Sequence, residues 1–188
     1  VHREPLLRLL DRYLERWPSD RAVVERFRAF VRSRPDCFER SCPPGHVTAS
    51  AWILSAEGDR FLLTHHRKLD RWLQLGGHAD GDPDPARVAL REAREESGME
   101  RFAFADESEL APIPLDLDVH AIPAHGRDPA HLHYDVRYLL VAAPGQALRK
   151  SDESHEVRWF PVARAADVLT EESTLRLARR ARALRASR

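Results

Sequence analysis

Apolar residues recur at helical spacing in the first part of the chain, and then the period changes. Leu6, Leu7, Leu10, Tyr13, Leu14 and Trp17 fall on one face of a 3.6-residue repeat, and Val23, Val24, Phe27, Phe30 and Val31 form a second such set. The pattern predicts two helices within residues 3–34, the second capped by Ser19 or Asp20 and ended by Pro35. Pro43-Pro44-Gly45 marks a break. Beyond it, short apolar or alternating runs predict strands over 46–55 and 60–66, joined by a turn at Glu57-Gly58-Asp59. A short strand in "RWLQLGG" runs into a glycine turn, a helix follows, and further strands are predicted over 114–123, 131–143 and 156–161. Helical patterns over about 161–168 and 171–186 finish the chain. Strands interspersed with helices predict a layered domain of mixed α and β structure. The division expected is a helical extension over 1–40 and a main domain over 41–188.

Composition narrows the partners. At 188 residues the chain has room for one ordinary domain with an accessory segment. Its 30 basic and 30 acidic residues cancel, so no global field points to nucleic acid or membrane as the main partner. Lys68 and Lys150 stand out in a basic complement that is otherwise arginine, a side chain suited to phosphate. Cys37 and Cys42 lack a second pair, which favours two free or buried thiols over a zinc site. With no signal-peptide pattern and no apolar run of membrane-spanning length, the expected location is a reducing cytoplasm.

The densest chemistry lies in "GGHADGDPDPARVALREAREESGM", residues 76–99. Asp84 suits an N-cap, Pro85 the first helical position, and Gly98 the C-terminal stop. On that helix Glu92, Glu95 and Glu96 fall within an arc of about 100°. Neighbouring like charges at this spacing cost about 0.2–0.5 kcal/mol per pair in water. Arg91 offsets part of that, and a hard divalent cation offsets far more. A solvated acidic face balanced by Arg87, Arg91 and Arg94 is the other reading of the helix alone.

The flanking turn decides between them. The stretch resembles the Nudix box, G-x5-E-x7-R-E-U-x-E-E-x-G-U, with the first glycine on Gly77 and the R-E…E-E-x-G run on Arg91 to Met99. Every fixed position matches except the early glutamate, where Pro83 stands between Asp82 and Asp84. The resemblance implies an α/β/α sandwich around a mixed sheet, extending from about Val47 to Phe160 and leaving residues 1–40 unaccounted for. It implies Mg²⁺- or Mn²⁺-dependent hydrolysis of a nucleoside diphosphate linked to another group, with Glu92, Glu95, Glu96 and the carbonyl of Gly77 as metal ligands. The ions would polarise the pyrophosphate and lower the pKa of a bound water. Arg91 would orient the carboxylates, and Glu153, ahead of Glu156, is the candidate for a general base from a later loop. Pro83 implies reduced or rearranged metal binding. Pro114, some fifteen residues past the box, points weakly to an ADP-ribose-like substrate.

Strand parity supplies further candidates. His131, His133, Asp135 and Arg137 share one face of their strand, and Asp116, Asp118 and His120 share one face of theirs. If the two strands pair, they form a polar wall that either lines the substrate cleft, faces solvent or makes a polar homodimer contact. Arg137, His133 and Asp135 on this wall, with His78 beside the glycine turn, are the candidate substrate-binding residues. Two other classes fit less of the pattern. An isopentenyl-diphosphate-isomerase-like enzyme is suggested by Gly76-Gly77-His78 but lacks the cysteine, and a non-catalytic nucleotide sensor is at odds with the intact glutamates.

Overall fold

The change of period at Gly45 is where the sheet begins. The computed structural model describes residues 2–106, 111–124, 126 and 129–186. Before the break lie helices α1 (Glu4–Arg16) and α2 (Arg21–Ser33). After it come strands β1 (Gly45–Leu54), β2 (Arg60–His66), β3 (Arg71–Leu73) and β4 (Leu75–His78), then helix α3 (Pro85–Ser97). Strands β5 (Phe102–Phe104), β6 (Asp116–Ile122), β7 (His131–Ala142) and β8 (Ser154–Pro161) follow, with helices α4 (Ala165–Val168) and α5 (Glu172–Ala186) at the end. The described residues make one mixed eight-stranded sheet. Its centre is β1, parallel to β7 and antiparallel to β2 and β4, while β6 and β5 pair antiparallel with β7, and β8 and β3 with β2.

Alternation along β1 sorts the layers. Val47, Ala49, Ala51 and Ile53 face one side, where they meet α3 through Val88, Ala89 and Ala93. On the same side α1 and α2 lay Leu6, Leu10, Tyr13, Val24 and Phe27 against Leu117, Tyr134 and Val136, with Phe30 stacked on Tyr134 at 3.9 Å. Trp52 and Leu54 face the other side, where with Phe61, Leu63 and Leu139 they pack on Leu177 and Ala181 of α5. The arrangement is the α/β/α sandwich, with the first two helices sharing a core with the sheet instead of standing apart.

Local rules place the ends of α3. The Asp84 carboxylate accepts from the backbone N–H groups of Ala86 and Arg87, Pro85 opens the helix, and Gly98 closes it in the left-handed region at φ 70°. Asp20, in contrast, makes no side-chain cap to α2; its carboxylate pairs with Arg180 of α5 at 2.8 Å and accepts from the Tyr13 hydroxyl. The region read as one short strand and a turn is two strands, with β3 pairing to β2 and β4 to β1. Strand β5 is an addition that three residues were too few to announce. Cys37 and Cys42 are free and buried, and burial pushes their thiols up to about 12 and about 11. No helix among the described residues is long and apolar enough to cross a membrane.

Candidate active site

Packing of small residues brings the acidic arc of α3 against β4. Ala89 and Ala93 seat the helix close to the sheet, and this turns Glu96 inward until it is only 6% exposed. Its Oε2 accepts a hydrogen bond from the Gly76 N–H at 3.0 Å. Gly77 lies so near Glu92 that a Cβ there would stand 2.6 Å from the carboxyl carbon and would push the carboxylate aside. Arg91 Nη2 donates to Glu92 Oε1 and to the carbonyl of His78, each at 2.7 Å, tying helix to strand. Glu95 is exposed on the same arc. Glu153 comes to this group from the turn before β8, where its backbone carbonyl accepts from Arg67 N at 2.9 Å. Its charge acts on both Glu92 and Glu96. Glu156 instead pairs with Arg158 at 2.6 Å on β8.

The electrostatics of this cluster are those of a site short of positive charge. Burial pushes the Glu96 carboxyl up to about 8; the Gly76 N–H opposes that, while Glu92, Glu153 and Glu95 add to it. Burial also raises Glu92, against the pull of Arg91. Asp82 and Asp84, either side of Pro83, are engaged locally, Asp82 with Arg87 at 2.6 Å and Asp84 in the helix cap. A buried carboxyl that holds a proton at neutral pH, in a cluster with further carboxylates, suits a hard cation that takes oxygen ligands.

On the opposite face of the sheet the polar wall forms as strand parity predicts. Register places His46 beside His133, Thr48 beside Asp135 and Ser50 beside Arg137, while β6 sets Asp116, Asp118 and His120 opposite Arg137, Asp135 and His133. The wall then divides. Arg137, 3% exposed, donates to Asp135 at 2.9 Å, Asp118 at 2.9 Å, Asp116 at 3.4 Å and the Ser173 hydroxyl at 2.6 Å. Arg176 and Arg180 of α5 reach down to Asp116, which is fully buried. Asp135 also accepts from Thr48 and Ser50 at 3.0 and 2.8 Å. Arg137 and Asp135 are thereby committed to a buried ion-pair network beneath α5. The cross-strand pair Asp118 and Asp135 would repel without the guanidinium between them.

The other half of the wall is imidazole. His46, His131 and His133 each point one ring nitrogen or more into a common space, with ligand-capable atoms all within 4.8 Å of one another, a potential metal-binding cluster. His78 joins them with its ring centroid 4.9 Å from His46 and 5.2 Å from His133. Burial, reinforced by neighbouring histidines, lowers His46 to about 4 and His133 to about 2, so both are neutral at physiological pH. His46 escaped the reading of the sequence, although alternation with Thr48 and Ser50 puts it on the polar face of β1. A cavity of about 450 Å³ lined by Leu54, Phe104, Leu115 and Leu139 is separate from both the acidic and the imidazole groups.

Comparison with known proteins agrees with this architecture. The family model for the NUDIX domain matches residues 44–181. A NUDIX-family hydrolase from Clostridium perfringens superposes with a TM-score of 0.58 at 20% identity, covering 76% of this chain and 98% of that one. An Ap4A hydrolase from C. elegans, in a binary complex, gives 0.60 at 19% identity over 76% and 98%. The M. smegmatis Nudix hydrolase RenU gives 0.54 at 18% over 76% and 86%. Identities this low establish likeness of fold. No curated protein matches the sequence significantly.

Proposed function

Since the chain belongs to the NUDIX domain family and is a Nudix hydrolase of phosphoanhydride bonds, we propose that it cleaves the diphosphate of a nucleoside diphosphate linked to another moiety. The cofactor proposed is Mg²⁺ or Mn²⁺, held by Glu92, Glu95, Glu96 and the carbonyl of Gly77. One observation carries this reading: Glu96, buried against the Gly76 N–H and pushed up to about 8, sits in a carboxylate cluster shared with Glu92, Glu95 and Glu153. A proton there stands in for the charge that a cation would bring. The close seat of Gly77 on Glu92 supports the same assignment, because it brings the strand backbone against the carboxylate.

When bound, the ions supply Lewis-acid polarisation of the phosphoryl oxygens. The residues of the chain do the rest. Arg91 holds Glu92 and the His78 carbonyl in fixed relation, so the ligand oxygens are set before substrate arrives. Glu153, exposed at the mouth of the cluster, is the proposed general base that takes a proton from the attacking water. His78, on the strand that carries Gly77, is the nearer of the proposed substrate-contacting residues. Arg137 and Asp135, buried in their own ion-pair network, are not proposed as substrate contacts, and His133 lies with the imidazole group on the other face of the sheet. An ADP-ribose-like substrate rests on Pro114 alone.

Incubating the protein with Mg²⁺ and a panel of nucleoside diphosphate derivatives tests the reading. Split phosphoanhydrides are expected, with most turnover lost in Glu96→Gln. Undiminished activity in that variant would overturn the mechanism, and isomerised isopentenyl diphosphate without hydrolysis would establish the isomerase instead.

A further inference from the structure

We infer that His46, His131 and His133 form a second, chemically distinct metal site that takes a borderline transition ion of the Zn²⁺ class. The inference stands on its own geometry and does not depend on the hydrolytic assignment of the carboxylates.

The ring nitrogens are arranged as ligands before any ion arrives. His131 Nε2 and His133 Nε2 stand 3.3 Å apart. Two nitrogens each about 2.0–2.1 Å from a tetrahedral zinc ion are separated by about 3.3 Å. The Nδ1 of His131 lies 2.8 Å from the Pro129 carbonyl. A carbonyl only accepts, so Nδ1 carries the proton and the Nε2 lone pair accepts from His133 Nε2–H, a proton that an ion taking both nitrogens would displace. That backbone contact is the kind of partner that fixes the orientation of a metal-bound imidazole. The His46 ligand atom lies within 4.8 Å of the other two, so an ion would draw its ring inward to complete the triangle.

His46 gives the independent sign. It is 1% exposed, and neither ring nitrogen has a hydrogen-bond partner among the described residues. Leaving a buried polar group unsatisfied costs about 1–3 kcal/mol, a cost an ion removes from one of the two nitrogens. Neighbouring rings complete the pocket. His78 flanks His46, and His120, its Nδ1 held by Asp118 at 2.9 Å, lies 5.4 Å centroid to centroid from His133. Imidazole nitrogen suits zinc, copper, nickel and iron, whereas magnesium prefers carboxylate, carbonyl and water oxygen. Three protein nitrogens also leave a position for water or an anionic oxygen.

Strand alternation keeps the two sites apart. On β4, Gly77 faces Glu92 on the α3 side, and His78 faces His46 on the other. The acidic site and the imidazole site therefore back onto adjacent residues of one strand, and each selects a different cation by ligand type.

Metal-stripped full-length protein titrated with Zn²⁺, and separately with Co²⁺ as a spectroscopic probe, decides the matter. One Zn²⁺ per chain is expected to bind to the Glu92→Gln/Glu96→Gln variant as to the parent. The Co²⁺ complex should show the intense visible absorption of a four-coordinate site. Affinity should fall more than about 100-fold in His133→Ala, beyond the 10–100-fold cost of losing an outer partner. His131→Ala, at a part-exposed position, should do the same with an unchanged circular dichroism spectrum. Zn²⁺ affinity that follows the glutamates and ignores both histidine variants overturns the inference, and so does a natively folded chain that binds no Zn²⁺.

Discussion

Glu96→Gln is expected to stabilise the metal-free protein near neutral pH while it removes metal-dependent turnover. The carboxyl is pushed from an ordinary 4.5 up to about 8 in the folded state. Between those two values the native chain keeps a proton that the unfolded chain has released, so the unfolded state binds fewer protons and stability falls as pH rises. The contribution is complete below about pH 4.5 and is lost as pH climbs through about 8. The slope within the window approaches about 1.4 kcal/mol per pH unit. From about pH 5.5 to about pH 7.5 this group alone withdraws about 2–3 kcal/mol. Glutamine has no charge to bury, and its carbonyl still accepts from the Gly76 N–H, so the variant should lack that slope and be the more stable protein at the upper pH. Urea unfolding of both proteins in chelator at the two pH values measures the difference. Calorimetry in two buffers of unlike ionisation heat adds a second reading, with close to one proton released when Mg²⁺ binds the parent near neutral pH and none in the variant. Parallel stability curves for parent and variant would refute the reasoning, because they would mean that Glu96 is already ionised without a cation.

Other substitutions separate packing from ligand placement. Gly77→Ala puts a methyl group 2.6 Å from the Glu92 carboxyl carbon; Mn²⁺ affinity followed by electron paramagnetic resonance should fall about tenfold or more. Arg91→Ala, which frees Glu92 and the His78 carbonyl together, should weaken Mn²⁺ binding by about 10–100-fold with little change in Tm. Asp116→Asn leaves Arg137, Arg176 and Arg180 without their shared buried counter-charge. Urea unfolding should show a loss of about 3–5 kcal/mol, a cost that a solvated sheet face would not show.

What could be read from the sequence followed from fixed angular relations, and what could not depended on which layer covers which face. The box helix was legible because 100° per residue puts Glu92, Glu95 and Glu96 on one arc wherever the helix packs, and its cap and stop residues are local. The shared faces of Asp116, Asp118 and His120 and of His131, His133, Asp135 and Arg137 were legible from parity, while the pairing of β6 with β7 and the register that sets Asp116 opposite Arg137 come from the fold. The fate of Arg137 was not, because it hangs on α5, whose arginine- and alanine-rich sequence gives no sign that Arg176 and Arg180 turn inward onto Asp116. Strand β4 is the sharpest case. Taken as a turn, Gly76-Gly77-His78 has no faces. Taken as a strand paired to Thr48, Ala49 and Ser50, it must alternate. Gly77 then meets the helix that carries carboxylates, and His78 must emerge on the face where β1 and β7 present His46 and His133. One period-two element thus sets carboxylates on one side and imidazoles on the other, and the separation of the two proposed metal sites follows from the pleat of a four-residue strand.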